Sequence, residues 1–326
     1  MFRGRPCQIC AMVCCVILYL GGNGIFAQGK GSGARKSIVP AWMERDCGQG
    51  VRLRLSAAEA KQGSLVLVEV SSADALSQVK GEWDGNAIPV WREPAKEKHL
   101  RDEWRGMLGI DLEHELGKYD FSISVKRGEG AASSCTASVT VKDGRFATEK
   151  LNVAPQFVEP NPEQLARAQE ESKRLHEIYA TVTPAIAWKG QFRIPLTGAK
   201  TGGNFGKRRV LNGEPSSPHS GVDFPAPTGT PVHTAQRGRV VLAEPLYFSG
   251  NTVVVDHGQG IYTFYGHLSA IGVKAGDSVE AGAVLGKVGA TGRVTGPHLH
   301  WGLEVNRARV NALGIVKLSL HPPEAN

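Results

Sequence analysis

Residues 218–223 read Pro218-His219-Ser220-Gly221-Val222-Asp223, and far downstream residues 298–300 read His298-Leu299-His300. Between them these stretches offer imidazoles and a carboxylate, donors that suit zinc. A catalytic zinc site needs three protein ligands plus an open position for water. If residues 298–300 are extended, side chains at i and i+2 share a face, about 7 Å apart at ~3.3 Å per residue. His298 and His300 then point one way, while Leu299 and Trp301 point the other. One of the two histidines can bind metal while its neighbour stands beside it. His219 and Asp223 would lie about 13 Å apart in full extension, too far to share an ion. The chain therefore has to bend between them, and Gly221 is expected to make that bend easy.

From Trp188 onward the chain reads as glycine-rich strands without a helix. The clearest strands are residues 239–242, 251–255, 261–265 and 298–305. Frequent Gly and Pro at their joints predict tight antiparallel connections. The amino-terminal half is also β-patterned. Residues 51–55, 65–70 and 119–125 alternate apolar and polar side chains, and Asp84-Gly85-Asn86 reads as a hairpin turn. An immunoglobulin-like β-sandwich over 38–150 is the expected architecture. Trp83, Trp91 and Trp104 are read there as core aromatics rather than a binding platform. His99 and His114 lack ligand companions and are read as surface residues.

A helix is expected between the two β-regions, within a linker spanning 151–187. Asn161 suits its cap, Pro162 its first position, and Gln164 completes an arrangement like a capping box. Leu165, Ala168, Leu175, Ile178 and Tyr179 form an apolar stripe at helical spacing. Glu163–Arg167 and Glu170–Arg174 are expected i,i+4 pairs. His176 is assigned to the solvated face.

At 326 residues the length suits two domains. Arg3 and Arg5 precede an apolar run from Ile9 to Leu20, then mostly small residues lead to Ala27. Residues 1–27 therefore read as a secretory signal, with no stable membrane span after cleavage. Gly29 to Ser37 reads as a flexible tether. Of the six cysteines, Cys7, Cys10, Cys14 and Cys15 lie in the signal. Cys47 and Cys135 remain, and in an oxidising compartment they are expected to pair, free thiols being the alternative. Net charge is +7, of which Arg3 and Arg5 carry two units, leaving +5 after cleavage. Such an excess suits an anionic wall polymer or simply aids solubility. A nucleic-acid partner is not expected, because no basic run is interleaved with aromatics.

Further motifs accompany the opening pair. They are Phe205-Gly206-Lys207-Arg208, the run Ala226-Pro227-Thr228-Gly229-Thr230-Pro231-Val232, Asp256-His257-Gly258, Tyr265-Gly266-His267-Leu268, and Thr291-Gly292-Arg293-Val294-Thr295-Gly296-Pro297 leading into His298. In this order they resemble the lysostaphin-type zinc metallopeptidases, murein endopeptidases that cut peptide bridges in bacterial walls. The resemblance covers roughly residues 190 to 312 and rests on several motifs in sequence. It implies an antiparallel β catalytic domain with an open groove over 188–326, with its core at 218–312. It implies His219, Asp223 and His300 as ligands of one zinc ion, with His267 and His298 as catalytic imidazoles. Zinc polarises a carbonyl and lowers the pKa of water toward ~7. No H-E-x-x-H motif is present, so imidazole must replace the glutamate base of many zinc proteases. Either His267 or His298 can act as base while the other holds the oxyanion.

Arg208 and Arg293 are read as groove residues or solvated surface, Asn204 as part of the turn before Phe205-Gly206, and His233 and His257 as structural. The expected function is an exported zinc metalloendopeptidase of the periplasm or cell envelope, acting on peptidoglycan cross-links, with a sandwich that positions the groove or meets a regulatory protein. The alternative is an inactive relative that binds murein or activates an amidase. Such relatives typically lack one or more of the five positions, and here all are filled.

Overall fold

Alternation in the amino-terminal half resolves into two facing five-stranded sheets. The computed structural model describes residues 42–93 and 102–318; the expected signal, the tether and His99 lie outside them. Among the described residues, one sheet runs Met43–Asp46, Val51–Leu55, Leu65–Ser72, Asp102–Gly109 and Val90–Glu93 in spatial order. The other runs Glu59–Lys61, Ser133–Lys142, Gly117–Lys126, Gln78–Trp83 and Asn86–Ile88. Successive strand residues face opposite ways, so Val51, Leu53, Leu55, Val66, Val68 and Val70 from one sheet meet Val79, Phe121, Ile123, Val125, Val139 and Val141 from the other in a shared core. The hairpin at Asp84-Gly85 has both residues at positive φ, the geometry of the two-residue turns that match strand twist. Cys47 and Cys135 form a disulfide between the sheets, with a Cα–Cα distance of 5.4 Å.

Trp83 and Trp91 are buried, as expected, while Trp104 is half-buried beneath the Arg92 guanidinium at 5.2 Å. His114 departs from its surface assignment. Its ring packs edge-on against Tyr119 at 4.5 Å and its Nε2 approaches Asp84 at 3.7 Å.

The carboxyl-terminal half is a nine-stranded sheet among the described residues, with every pairing antiparallel. Its main path runs Gly221–Pro225, His298–Val305, Ile261–Ile271, Gly250–Asp256, Gly238–Leu246 and Ser278–Val279. A short helix, Ala312–Val316, stands where the sequence shows no helical signal. Five residues are too few to display a 3.6-residue period, and the Asn311 side chain accepting from the Leu313 N–H is what starts it.

The two halves share apolar packing. Trp91, Met107 and Leu112 join Trp188, Phe192, Val305, Val310 and Ile315 in one cluster, and the Trp91 and Trp188 rings meet edge to face at 5.5 Å. Gly109 lies so close to Val305 that a Cβ there would fall 2.7 Å from the Val305 carbonyl oxygen. Polar ties flank the seam. Arg309 donates to both oxygens of Asp111, at 3.0 and 2.6 Å, and Asn306 Nδ2 donates to the Met107 carbonyl at 2.8 Å. Strand Thr148–Leu151, at the end of the sandwich sequence, pairs in parallel with Arg208–Leu211.

Helix Pro162–Ala180 carries the expected reciprocal cap between Asn161 and Gln164. Leu175, Ile178 and Tyr179 pack on Leu242, Leu246, Val254 and Tyr262 of the large sheet. Leu165 does not join the stripe and is 45% exposed. The expected ion pairs are replaced by others. Arg167 pairs forward with Glu171 at 2.7 Å, and Arg174 reaches across to Glu244 on the sheet. Docking brings that sheet acid within reach, a partner invisible to local spacing. Among the described residues no helix is long and apolar enough to cross a membrane.

Candidate functional site

Three neighbouring strands of the large sheet carry the site. Asp223 stands opposite His300, and His300 stands opposite Gly266, the residue before His267. Facing residues have Cβ atoms roughly 5 Å apart, so strand register alone delivers a carboxylate and imidazoles to one place. Along His298–Val305 the period of two puts His298, His300, Gly302 and Glu304 on one face, and Leu299 and Trp301 are fully buried on the other. The site face is also the face covered by helix Pro162–Ala180. A groove of about 610 Å³ runs between them, lined on the sheet by His219, Phe264, His267, His300 and Glu304 and on the helix by Leu175, His176 and Tyr179.

His219 Nε2 lies 2.9 Å from His300 Nδ1 and 3.1 Å from Asp223 Oδ1, and His300 Nδ1 lies 3.0 Å from the same oxygen. A tetrahedral ion with bonds of ~2.0–2.1 Å holds its ligand atoms about 3.3 Å apart. Two imidazole nitrogens and one carboxylate oxygen at these separations fit zinc in both donor type and spacing. Supporting hydrogen bonds orient them. His219 Nδ1–H donates to the Asn204 carbonyl at 3.0 Å, which leaves Nε2 as the unprotonated nitrogen. Asn204 Nδ2 donates to Asp223 Oδ2 at 2.7 Å, while Asp223 N–H donates to Asn204 Oδ1 at 3.0 Å. Burial pushes the Asp223 carboxyl up, but the His219 and His300 imidazoles beside its Oδ1 outweigh it and hold the pKa well below the carboxylate range. Burial also pushes the His300 imidazole down to about 4, so both groups favour the forms that can ligate.

Gly221 acts differently from the sequence expectation. It has no positive φ, and it begins a strand rather than supplying a bend. A Cβ there would meet His300 Nε2 at 2.6 Å and the Trp301 carbonyl oxygen at 2.8 Å. What the position supplies is room for the His300 ring.

His267 and His298 stand beside the triad, their ring centroids 4.8 Å apart. Each has Nδ1 within 2.8 Å of a backbone carbonyl, Thr291 for His267 and Gly296 for His298. Donation from Nδ1–H fixes one tautomer in both and leaves both Nε2 atoms free of it. Burial, followed by charge on His300 and His298, pushes the His267 pKa down to about 3. Its backbone sits at φ +62°, a left-handed conformation that costs a non-glycine residue energy and often marks functional positions. The Ser249 carbonyl, accepting from His267 N–H at 2.7 Å, helps hold that turn.

The structure brings all five sequence-selected side chains together and leaves His233 and His257 away from them. His257 is fully buried against Arg237 and Thr263, and His233 Nδ1 bonds the Gly282 carbonyl. Of the two alternatives for Arg208 the solvated one holds, and the reading of Asn204 changes. Arg208 points outward and is exposed, whereas Arg209, its neighbour on strand Arg208–Leu211, lines the groove 3.6 Å from Asp223 Oδ2. Asn204 does more than shape a turn, since it grips two of the three triad residues. Its place just before Phe205-Gly206 was the only local signal.

Residues 217–312 match the model of peptidase family M23. This segment is an M23 peptidase domain. The M23 segment is similar to peptidoglycan DD-endopeptidase ShyA of Vibrio cholerae, 50% identical over 97 residues, which are 30% of this chain and 23% of ShyA. It is also similar to DD-carboxypeptidase/endopeptidase Mpg of Neisseria meningitidis, 39% identical over 137 residues, covering 42% of this chain and 31% of Mpg. The match thus spans under a third of either relative. A crystal structure from Pseudomonas aeruginosa assigned to peptidase M23 extends beyond the M23 segment. It superposes with TM-score 0.58 at 29% identity, covering 78% of this chain and 94% of that one.

Proposed function

We propose that the protein is a zinc metalloendopeptidase of the cell envelope that hydrolyses peptide cross-links of peptidoglycan, in the manner of a D,D-endopeptidase. The observation that carries this reading is the mutual 2.9–3.1 Å spacing of His219 Nε2, His300 Nδ1 and Asp223 Oδ1, with two tautomer-fixed imidazoles beside them. The similarity to peptidoglycan endopeptidases supports it. When bound, zinc supplies a Lewis acid that polarises the scissile carbonyl and makes water nucleophilic near neutral pH. His219, Asp223 and His300 hold that ion. His267, neutral by virtue of its burial, accepts a proton at Nε2 from the attacking water. His298, similarly oriented, steadies the developing oxyanion, and a protonated imidazole returns the proton to the departing amine. The exchange of these two roles between His267 and His298 is equally compatible with the geometry. The helix wall over the groove excludes bulk water from one side of the substrate.

In this proposal the protein is exported, and the sandwich is the part free to meet a regulatory protein. Fractionation of the producing cells tests export, which recovery in the cytosol would contradict. The direct test incubates purified cross-linked muropeptide dimers with the zinc-loaded protein, with and without chelator. Conversion to monomers that stops on chelation is expected. Dimers that persist with zinc present would sink the endopeptidase reading in favour of a murein-binding role.

A further inference from the structure

Arg209 and Arg293 both line the groove that holds His219, His267 and His300. Neither is spent in the way Arg105 and Arg309 are, for each of those engages more than one acid. Arg209 approaches only the outer oxygen of Asp223, at 3.6 Å, and its Nε is buried without a hydrogen-bond partner among the described residues. Arg293 has no carboxylate within ion-pair distance among the described residues. Its guanidinium lies over the Phe248 ring at 4.5 Å, a contact that uses the face of the cation rather than its N–H donors. Burial, and then the charge of Arg209, lowers the Arg293 pKa, so the two cations feel each other across the groove. Asp223 and Glu149 are the acids acting on Arg209; Asp223 Oδ1 belongs to the metal triad, and Glu149 is paired with Lys207 at 2.6 Å. The groove therefore carries a surplus of guanidinium charge beside the reacting centre, chemistry that suits a carboxylate.

We propose that Arg209 and Arg293 form a carboxylate-binding subsite, selecting substrates whose leaving residue bears a free carboxylate on the carbon attached to the scissile nitrogen. This rests on the peptidase reading above and narrows its substrate class. In a linear peptide bond that carboxyl group is tied up in the next amide. It is free when the leaving residue is carboxyl-terminal, or when a diamino dicarboxylic acid is joined through one amine and continues through its other end. A cross-link through a diamino dicarboxylic acid meets the requirement, whereas one through a lysine side chain or a glycine bridge does not. A carboxylate so placed also tethers the substrate one carbon from the nitrogen that must receive a proton, aligning it with the His267 and His298 pair.

The test uses the zinc-loaded full chain and two matched dimers that differ only at this group, one a free carboxylate and the other its primary amide. The wild type should favour the carboxylate dimer by roughly 10–100-fold in kcat/KM, mostly through KM. Arg293→Gln should collapse this ratio toward one, and Arg293→Lys should retain part of it, because charge survives while the planar fork is lost. Equal wild-type rates on the two dimers, or an undiminished ratio in Arg293→Gln, would overturn the subsite. If neither dimer is cut, the peptidase reading falls, and calorimetric binding of the carboxylate and amide peptides decides the subsite separately. Tighter binding of the carboxylate form that disappears in Arg293→Gln supports it, and equal binding overturns it.

Discussion

Asn204 and Asp223 hold each other from both directions, the amide nitrogen on the carboxylate at 2.7 Å and the Asp223 N–H on the amide oxygen at 3.0 Å. The same asparagine receives the His219 ring proton on its carbonyl. Asn204→Ala removes both bonds to Asp223 and keeps all three triad residues. Zinc affinity should fall by about 10–100-fold, measured by competition with a calibrated chelator, while the thermal transition of the zinc-free protein changes little. Unchanged affinity would show that Asp223 needs no such support.

Gly221→Ala tests the site from its floor. The new methyl meets the His300 ring and the Trp301 backbone oxygen, and the backbone partner cannot swing away. Overpacking of this kind costs about 1–3 kcal/mol, and displacement of His300 should lower zinc stoichiometry as well. A variant with full zinc content and an unshifted denaturation midpoint would refute the close fit.

Ligand and proton-transfer roles separate by metal analysis. His219→Ala should lose zinc. His267→Ala should keep it, while turnover drops by roughly 10²–10⁴-fold. Equal zinc loss in the two variants would contradict the division.

Glu304 gives the protein an alkaline liability. It faces Arg309 across the strand pair, but that guanidinium is committed to Asp111 and Glu113. Burial pushes the Glu304 carboxyl up to about 8, with Arg309 opposing and Asp111 adding to the rise. A folded pKa above the unfolded one means the native state holds this proton more tightly. The contribution is fully present below the unfolded pKa of about 4.5 and is lost as pH rises toward 8. Urea midpoints from about pH 6 to about pH 9 should therefore fall more for the wild type than for Glu304→Gln. Parallel pH profiles would remove Glu304 as the cause.

The disulfide closes a separation of 88 residues. Replacing Cys47 and Cys135 by alanine should cost about 2–4 kcal/mol, mainly by freeing the unfolded chain. Chemical denaturation of the variant beside the oxidised parent measures it, and a difference near zero would mean the sandwich core suffices alone.

What sequence made legible follows the period-two rule and the order of motifs. His298, His300, Leu299 and Trp301 could be assigned faces because a strand offers only two, and the five site positions came from motif order. Arg208 and Arg209 could not be told apart that way. Which of two adjacent arginines turns inward depends on pairing with Thr148–Leu151, a partner distant in sequence. Asn204 was hidden for a similar reason, since its work is done on residues brought to it by folding. Gly221 was misread because backbone freedom is visible in a sequence and the need for empty space beside a ring is not. The helix ion pairs failed where Glu244 on the sheet competed with Glu170 for Arg174.

The edge-to-face meeting of Trp91 and Trp188, with Gly109 pressed against Val305, carries a lesson for engineering. Clipping the chain near residue 188 would not liberate a tidy module. It would unroof a greasy flank that is packed under its neighbour, and such a fragment should clump unless that flank is repainted with polar side chains. Anyone grafting the M23 segment onto another scaffold would do better to carry the sandwich along.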